Sequence, residues 1–181
     1  ARDNGQAKAF LPSSIVTGFP TMRRAVCATA EVRLFLTSLG ITEPDPVDDI
    51  IWHLLPKYQQ HEVDLSDDAY AADIERIRAA FNTDSAAQKE KLRSALRETT
   101  FVMAIDTSDA EGEGYVADPG GTYIATDRLQ QLFADVPEVL IVDNRHDCLR
   151  GEDIRDLLVS CGASRYLTPQ ATPSELGASE K

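Results

Sequence analysis

The sequence predicts an α+β fold, a helical subdomain packed on a small mixed β-sheet with flanking helices. Three observations carry this. Apolar residues recur at helical spacing in the middle of the chain, where Tyr70, Ile74, Ile77 and Phe81 follow one another at intervals of 4, 3 and 4. After Glu98 the pattern changes to β-branched and aromatic runs, TTFVMAID and later VLIVDN, bounded by turn-rich loops. The 181 residues are 43% apolar and 27% charged, enough for one real core or two small domains sharing an interface.

Taken in order, Asp3-Asn4-Gly5 signals a turn, and AKAFLPSSIV an extended segment broken by Pro12. A helical stretch from about Pro20 ends in AEVRLFLTSLG, with Val32, Phe35, Leu36 and Leu39 on one face and Gly40 placed as a left-handed C-terminal cap. Ser66-Asp67-Asp68 opens the next helix and Asn82 stops it. Ser85 and Gln88 form a capping-box pair for a further helix that buries Leu92 and Leu96, so the two make a hairpin. TTFVMAID is a strand, DTSDAEGEG a polar loop and GYVADPGGTYI extended chain. Thr126 caps a short helix carrying Leu129, Leu132 and Phe133. VLIVDN is a buried strand, and GEDIRDLLVSCG is helical. The expected divisions are an extended segment over 1–16, a helical subdomain over 17–98, a small α+β subdomain over 99–168 and a flexible tail over 169–181.

One internal repeat is visible. AEVRLFLTSLGI (30–41) aligns with EDIRDLLVSCGA (152–163) at an offset of 122, with Arg33/Arg155, Leu36/Leu158, Ser38/Ser160 and Gly40/Gly162 identical. An extended piece with a proline precedes each. The chain therefore reads as starting inside one truncated unit, crossing a helical insert and ending with a second unit, whose sheet the N-terminal strand can join. It begins at Ala1 rather than Met, as a fragment of something longer would.

The densest reactive cluster is EPDPVDDIIWHLLPKY, residues 43–58. Its carboxylates have helix-starting reasons to be there. Asp45 is a good N-cap and Pro46 suits the first helical position. Asp48 and Asp49 lie in the first turn, at the positive end of the helix dipole, where each is worth about 0.5–1 kcal/mol. Ile50, Ile51, Leu54 and Leu55 supply the buried face and Pro56 stops the helix. Asp49 and His53, four apart, share a face as two metal ligands would. Two ligands are too few, and nothing nearby has a known ligand spacing. Trp52 reads as a core or interface anchor.

The net charge of −12 is uneven, with 11 Asp/Glu against 3 Lys/Arg over residues 43–84. Such a surface repels phosphate backbones, so nucleic acid is not an expected partner. No apolar run approaches the ~20 residues that cross a bilayer, and no membrane role is expected. Cys27, Cys148 and Cys161 are odd in number and widely spaced, which argues for a reducing, cytoplasmic setting over a disulfide framework.

The best enzyme signal is VDNRHDC. Asp143, His146 and Asp147 follow a strand, a common catalytic position in α/β enzymes, and Asp106 closes another strand that could lie beside it. A divalent metal held by these groups would make a metal-dependent hydrolase. Against it, Asp-Asn after a strand is ordinary turn chemistry. His61 reads as exposed. Cys148 lacks the surroundings of a nucleophile, and the glycines at 112, 114, 120 and 121 are not a phosphate loop.

The run FLTSLGITEPDPVDDIIWHLLPKY resembles a segment of the large sacsin-related proteins, whose N-terminal part is a GHKL-type ATPase of the chaperone class. RETTFV, ADPGGTYIATDRLQQLFAD and LLVSCGAS fit the same layout, so the resemblance covers roughly residues 10–168. The Asn- and Asp-bearing helix and the Asp-x-Gly-x-Gly lid of that ATPase are missing, so no nucleotide-binding residue and no cofactor is carried over. The resemblance implies a non-catalytic structural or interaction module lying downstream of the ATPase, in contact with neighbouring domains of the parent chain or with a protein partner. The acidic surface is its expected contact face, with Asp45, Asp48, Asp49, Trp52, Asp67 and Asp68 as candidates.

Overall fold

The computed structural model describes residues 2–3, 6–7, 9–14, 16–59, 66–108, 114–124, 126–133, 136 and 139–166. The expected turn at Asp3-Asn4-Gly5 falls partly outside them. His61, most of the polar loop, the side chain of Leu129 and the tail fall wholly outside them.

The fold is α+β. Among the described residues, six helices accompany a two-stranded ribbon of β1 (Arg2–Asp3) and β2 (Gln6–Ala7) and one four-stranded mixed sheet. The sheet contains β3 (Val102–Asp106), β4 (Gly114–Ala117), β5 (Thr122–Tyr123) and β6 (Leu140–Val142), in the order β4-β3-β6-β5. β3 runs antiparallel to both β4 and β6, and β5 runs parallel to β6. The N-terminal segment does not enter this sheet. Phe10 instead bridges Thr21 in parallel, making a separate small pairing.

Local chemistry explains the helix bounds. Asp45 accepts the Val47 N–H at 2.8 Å and Pro46 takes the first position of α2 (Pro46–Asp49). The helical path does not stop at Pro56 as expected. It widens into a π-helical turn, Ile50–Leu54, and then tightens into a 3₁₀ turn, Leu55–Gln59. Pro56, the second residue of that turn, has no N–H, so its place near a helix end leaves no donor unpaired.

Ser66 caps α3 (Asp67–Phe81), and Asn82 ends it. Ser85 caps α4 (Ala86–Arg97) through the Gln88 N–H, but the Gln88 side chain donates to Asp45 Oδ2 at 2.8 Å instead of returning to Ser85. Half of the expected capping box is thus exchanged for a tie between α4 and the start of α2.

The largest core cluster runs through the α2–π segment, both hairpin helices, β3 and α6 (Glu152–Ser160). Ile50, Leu54, Ile74, Ile77, Leu92 and Leu96 meet Phe101, Val102 and Leu158 there without a break between helical and β segments. Phe133, from α5 (Asp127–Phe133), and Ile141 form a second cluster, while Leu132 of the same helix is exposed. Leu11, Cys27 and Ile41, with Met22 and Leu36, form a third around α1 (Ala30–Ser38).

Two segments share a build. In the first, a 3₁₀ turn, Arg24–Cys27, leads into α1, Gly40 adopts φ 78°, and the Ile41 N–H reaches back to the Leu36 carbonyl at 3.0 Å. The Thr42 carbonyl then accepts the Leu11 N–H at 2.9 Å. In the second, a 3₁₀ turn, Asp147–Leu149, leads into α6, Gly162 adopts φ 118°, and the Ala163 N–H reaches the Leu158 carbonyl at 3.0 Å. The Ser164 carbonyl accepts the Ile124 N–H at 2.9 Å. Both closures are Schellman-type caps whose left-handed residue is glycine.

Tyr70 joins helix to sheet. Its buried hydroxyl donates to the Phe101 carbonyl at 3.1 Å and accepts the Met103 N–H at 3.0 Å. Removing it strands buried backbone groups, so Tyr70→Phe is expected to cost about 1–3 kcal/mol. Urea unfolding measures this, and a loss under ~0.5 kcal/mol would show that the bridge is dispensable.

Candidate functional site

Two places gather reactive side chains, the helix start at residues 45–53 and the C-terminal end of β6. At the helix start, Asp49 is only 2% exposed. One carboxylate oxygen accepts the Gly18 N–H at 2.6 Å and lies 3.1 Å from His53 Nδ1, and the other accepts from Arg76 at 2.7 Å. Gly18 approaches the imidazole so closely that a Cβ there would lie 2.7 Å from the ring, and Phe19 meets the same ring edge-on. Asp45 is held by Val47 and Gln88, and Asp48 by Lys91 at 2.6 Å. These three acids therefore serve intramolecular bonds, and Asp49 is no part of the surface. Trp52 goes the other way. Of the two places expected for it, core or interface, the core is excluded, because it stands 60% exposed on the π turn. Asp67 and Asp68, in the first turn of α3, face solvent.

At the strand end, Asp143 is 1% exposed and takes the backbone N–H of Arg145 at 2.9 Å and its guanidinium at 2.8–3.0 Å. Burial alone would raise its pKa, but the Arg145 hydrogen bonds and charge, aided by His146, outweigh this and hold the carboxyl below its ordinary range. His146 Nε2 lies 3.7 Å from Asp143, Nδ1 lies 3.8 Å from Asp67, and the ring meets Tyr70 edge-on. Asp67, Met103, Gly114, Asp143, Arg145 and His146 border an open cavity of about 380 Å³.

Of the four hydrolase candidates, Asp143 and His146 converge. Asp106 and Asp147 do not line this cavity. Asp106 accepts from the Ser108 N–H and hydroxyl at 2.8 and 2.7 Å, and Asp147 pairs with Arg150 at 2.7 Å in solvent. Among the described residues no group of three His, Cys, Asp or Glu could hold a metal ion. Burial pushes the Cys148 thiol up, the reverse of what a thiolate nucleophile needs.

A buried cluster went unread in the sequence. Asp73, on the buried side of α3, accepts from the Tyr58 hydroxyl and from Lys57, each at 3.2 Å. Burial first, then the Asp73 charge, raises the phenol pKa of Tyr58 well above its ordinary value. The available signal was its spacing. Asp73 lies three residues after Tyr70 and directly before Ile74, so it falls on the apolar stripe.

The geometry defines an α+β protein whose acidic helix start is built into the fold and whose strand-end acid is neutralised by arginine. No family model matches the chain, and neither a curated protein nor a solved structure matches it.

The sign of the pH effect at Asp143 follows from its lowered pKa. The stabilisation is complete above the unfolded value of about 3.9 and is lost as the pH falls through the folded pKa. Asp143→Asn is expected to unfold at lower urea than wild type at pH 7. The gap should close as the pH is taken from about 5 towards 2. A gap constant over that range would show that the charge of Asp143 contributes nothing.

Proposed function

We propose that the chain is a non-catalytic structural and interaction module, a fragment of a larger sacsin-like, chaperone-related protein of the cytoplasm. On this reading the ATPase lies elsewhere in the parent chain, and this piece carries two copies of one unit around a helical insert. It offers an acidic surface to a protein partner or a neighbouring domain, needs no cofactor and does not meet nucleic acid. Among the described residues no helix is long and apolar enough to cross a membrane.

The observation that carries the reading is Trp52. A large aromatic side chain held out of the core, within a stretch of 11 acids against 3 bases, suits recognition better than packing. Its π-helical setting supports this, because such turns often mark functional positions. Asp67 and Asp68 supply solvent-facing charge in the same stretch. The partner that fits is basic with an apolar pocket.

A metal-dependent hydrolase at the strand end is the second reading, favoured by the approach of Asp143 and His146 in an open cavity. A thermal-shift series with Mg²⁺, Mn²⁺, Zn²⁺ and Ca²⁺, each with and without ATP, separates the two. A ligand at a hundredfold excess over its Kd stabilises by about 2.7 kcal/mol. The module reading expects no shift with any metal. A rise with one metal that disappears in Asp143→Asn would replace it with the hydrolase.

Trp52→Ala is expected to change stability by less than about 0.5 kcal/mol, as surface substitutions do. A larger loss in urea unfolding would make Trp52 a packing residue and remove the main support for this reading.

A further inference from the structure

The helices α1 and α6 carry the same apolar face into different surroundings. On α6 the core-facing positions are Ile154, Leu157 and Leu158, followed by Cys161, and all are buried. At the offset of 122 their counterparts are Val32, Phe35, Leu36 and Leu39. All four are apolar, yet Phe35 is 62% and Leu39 55% exposed, and no residue of α1 is fully buried. Exposed large apolar groups adjoining along one helix mark a contact surface.

The cover of α6 shows what such a face accepts. It lies against the α3–α4 hairpin, with which it shares the main core cluster. Arg78 of α3 pairs with Asp153 in its first turn at 2.5 Å, and Arg97 of α4 donates to the Ser160 carbonyl at its last turn at 2.9 Å. The counterparts on α1 are Glu31 and Ser38. Glu31 is exposed in the first turn, and among the described residues it makes no ion pair. A carboxylate for one arginine and a helix C-terminus for the other are thus both present. The strand side agrees. β6 is paired on its second edge by β3, whereas among the described residues Thr21 is bridged only to Phe10.

We propose that the α1 face is a docking surface for a second helical hairpin of the α3–α4 kind, presented by another unit of the same build. It seats there as this chain's own hairpin seats on α6, with arginines on Glu31 and the α1 C-terminus. The proposal rests on reading residues 10–42 and 123–164 as copies of one unit. It is independent of the acidic surface and of Trp52.

The test mixes the intact chain with a chain of residues 1–150, which lacks α6 and so opens its hairpin. The shortened chain carries Phe35→Asp to silence its own α1. The expected result is a 1:1 complex by light scattering and calorimetry. Phe35→Asp in the intact chain weakens it at least tenfold. Arg78→Glu in the shortened chain also weakens it tenfold, and Glu31→Arg in the intact chain restores it. No complex with a shortened chain that keeps its helical circular dichroism overturns the proposal. So does a complex indifferent to Phe35→Asp. A complex lost instead with Asp67→Lys and Asp68→Lys in the intact chain also overturns it, and moves the contact to the acidic surface.

If the shortened chain is not helical, the decision falls to an intact chain whose residues 152–163 are replaced by the sequence of residues 30–41. Retained cooperative unfolding supports the fit between the α1 face and the hairpin, and its loss overturns it. Retained unfolding beside a helical shortened chain that forms no complex would leave the two-copy reading standing and remove only the docking.

Discussion

The burial of Asp49 constrains the rest of the structure. A carboxylate taken out of water costs several kcal/mol unless its lone pairs are met by donors. Here the donors come from three separate places, the loop at Gly18, the π turn at His53 and α3 at Arg76. Each must be in position for the acid to be tolerated, so the N-terminal segment, the widened helix and the hairpin are fixed to one another at a single side chain. Gly18 shows how tight this is, since its backbone runs against the imidazole where no Cβ fits. The π turn lies at the same place, with His53 against Asp49, Trp52 outside and Ile50 and Leu54 buried.

What was legible in the sequence was chemistry that acts over three or four residues. Ser66, Ser85 and Asp45 cap their helices, Gly40 turns the chain left-handed, and Ile74, Ile77, Leu92 and Leu96 are core. What was not legible depends on distant partners. Asp48 and Asp49 look alike in a first-turn acidic run, and only Gly18 and Arg76, 31 and 27 residues from Asp49, make the second a buried hub. Gln88 has a local partner available in Ser85 and takes Asp45 instead, 43 residues away. The π turn is equally hidden, because its register depends on tertiary contacts and not on propensity.

The strand end illustrates the difference between proximity and a site. Asp143 and His146, three residues apart, lie 3.7 Å from each other, but a general base needs an unengaged lone pair near its target. The Arg145 side chain and backbone already take up both oxygens of Asp143. That pairing lowers the pKa and makes the carboxylate a weaker base, while it accounts for an acid that is almost wholly buried. Asp106 answers to the local turn at Ser108, and Asp147 to Arg150. Each of the four acids and bases thus has a structural partner before any substrate is considered.

The contrast between α1 and α6 carries the same lesson on a larger scale. Periodicity correctly marks Val32, Phe35, Leu36 and Leu39 as one apolar face, and marks Ile154, Leu157 and Leu158 in the same way. A helix pattern states which side is apolar, not what will cover it. On α6 the cover is present, and the helix ends are met by Arg78 and Arg97. On α1 only the inner edge of the face is used, by the small cluster of Leu11, Met22, Cys27, Leu36 and Ile41. Phe35 and Leu39 turn outward with Leu34. With these three side chains 55–72% exposed, a part of the about 1.5–3 kcal/mol that full burial gives each is forgone. Summed over the three, that is a sizeable fraction of the margin by which a domain is stable. The sheet and hairpin complete the main core without α1, whose small cluster is separate, so that core is whole while Leu34, Phe35 and Leu39 remain exposed.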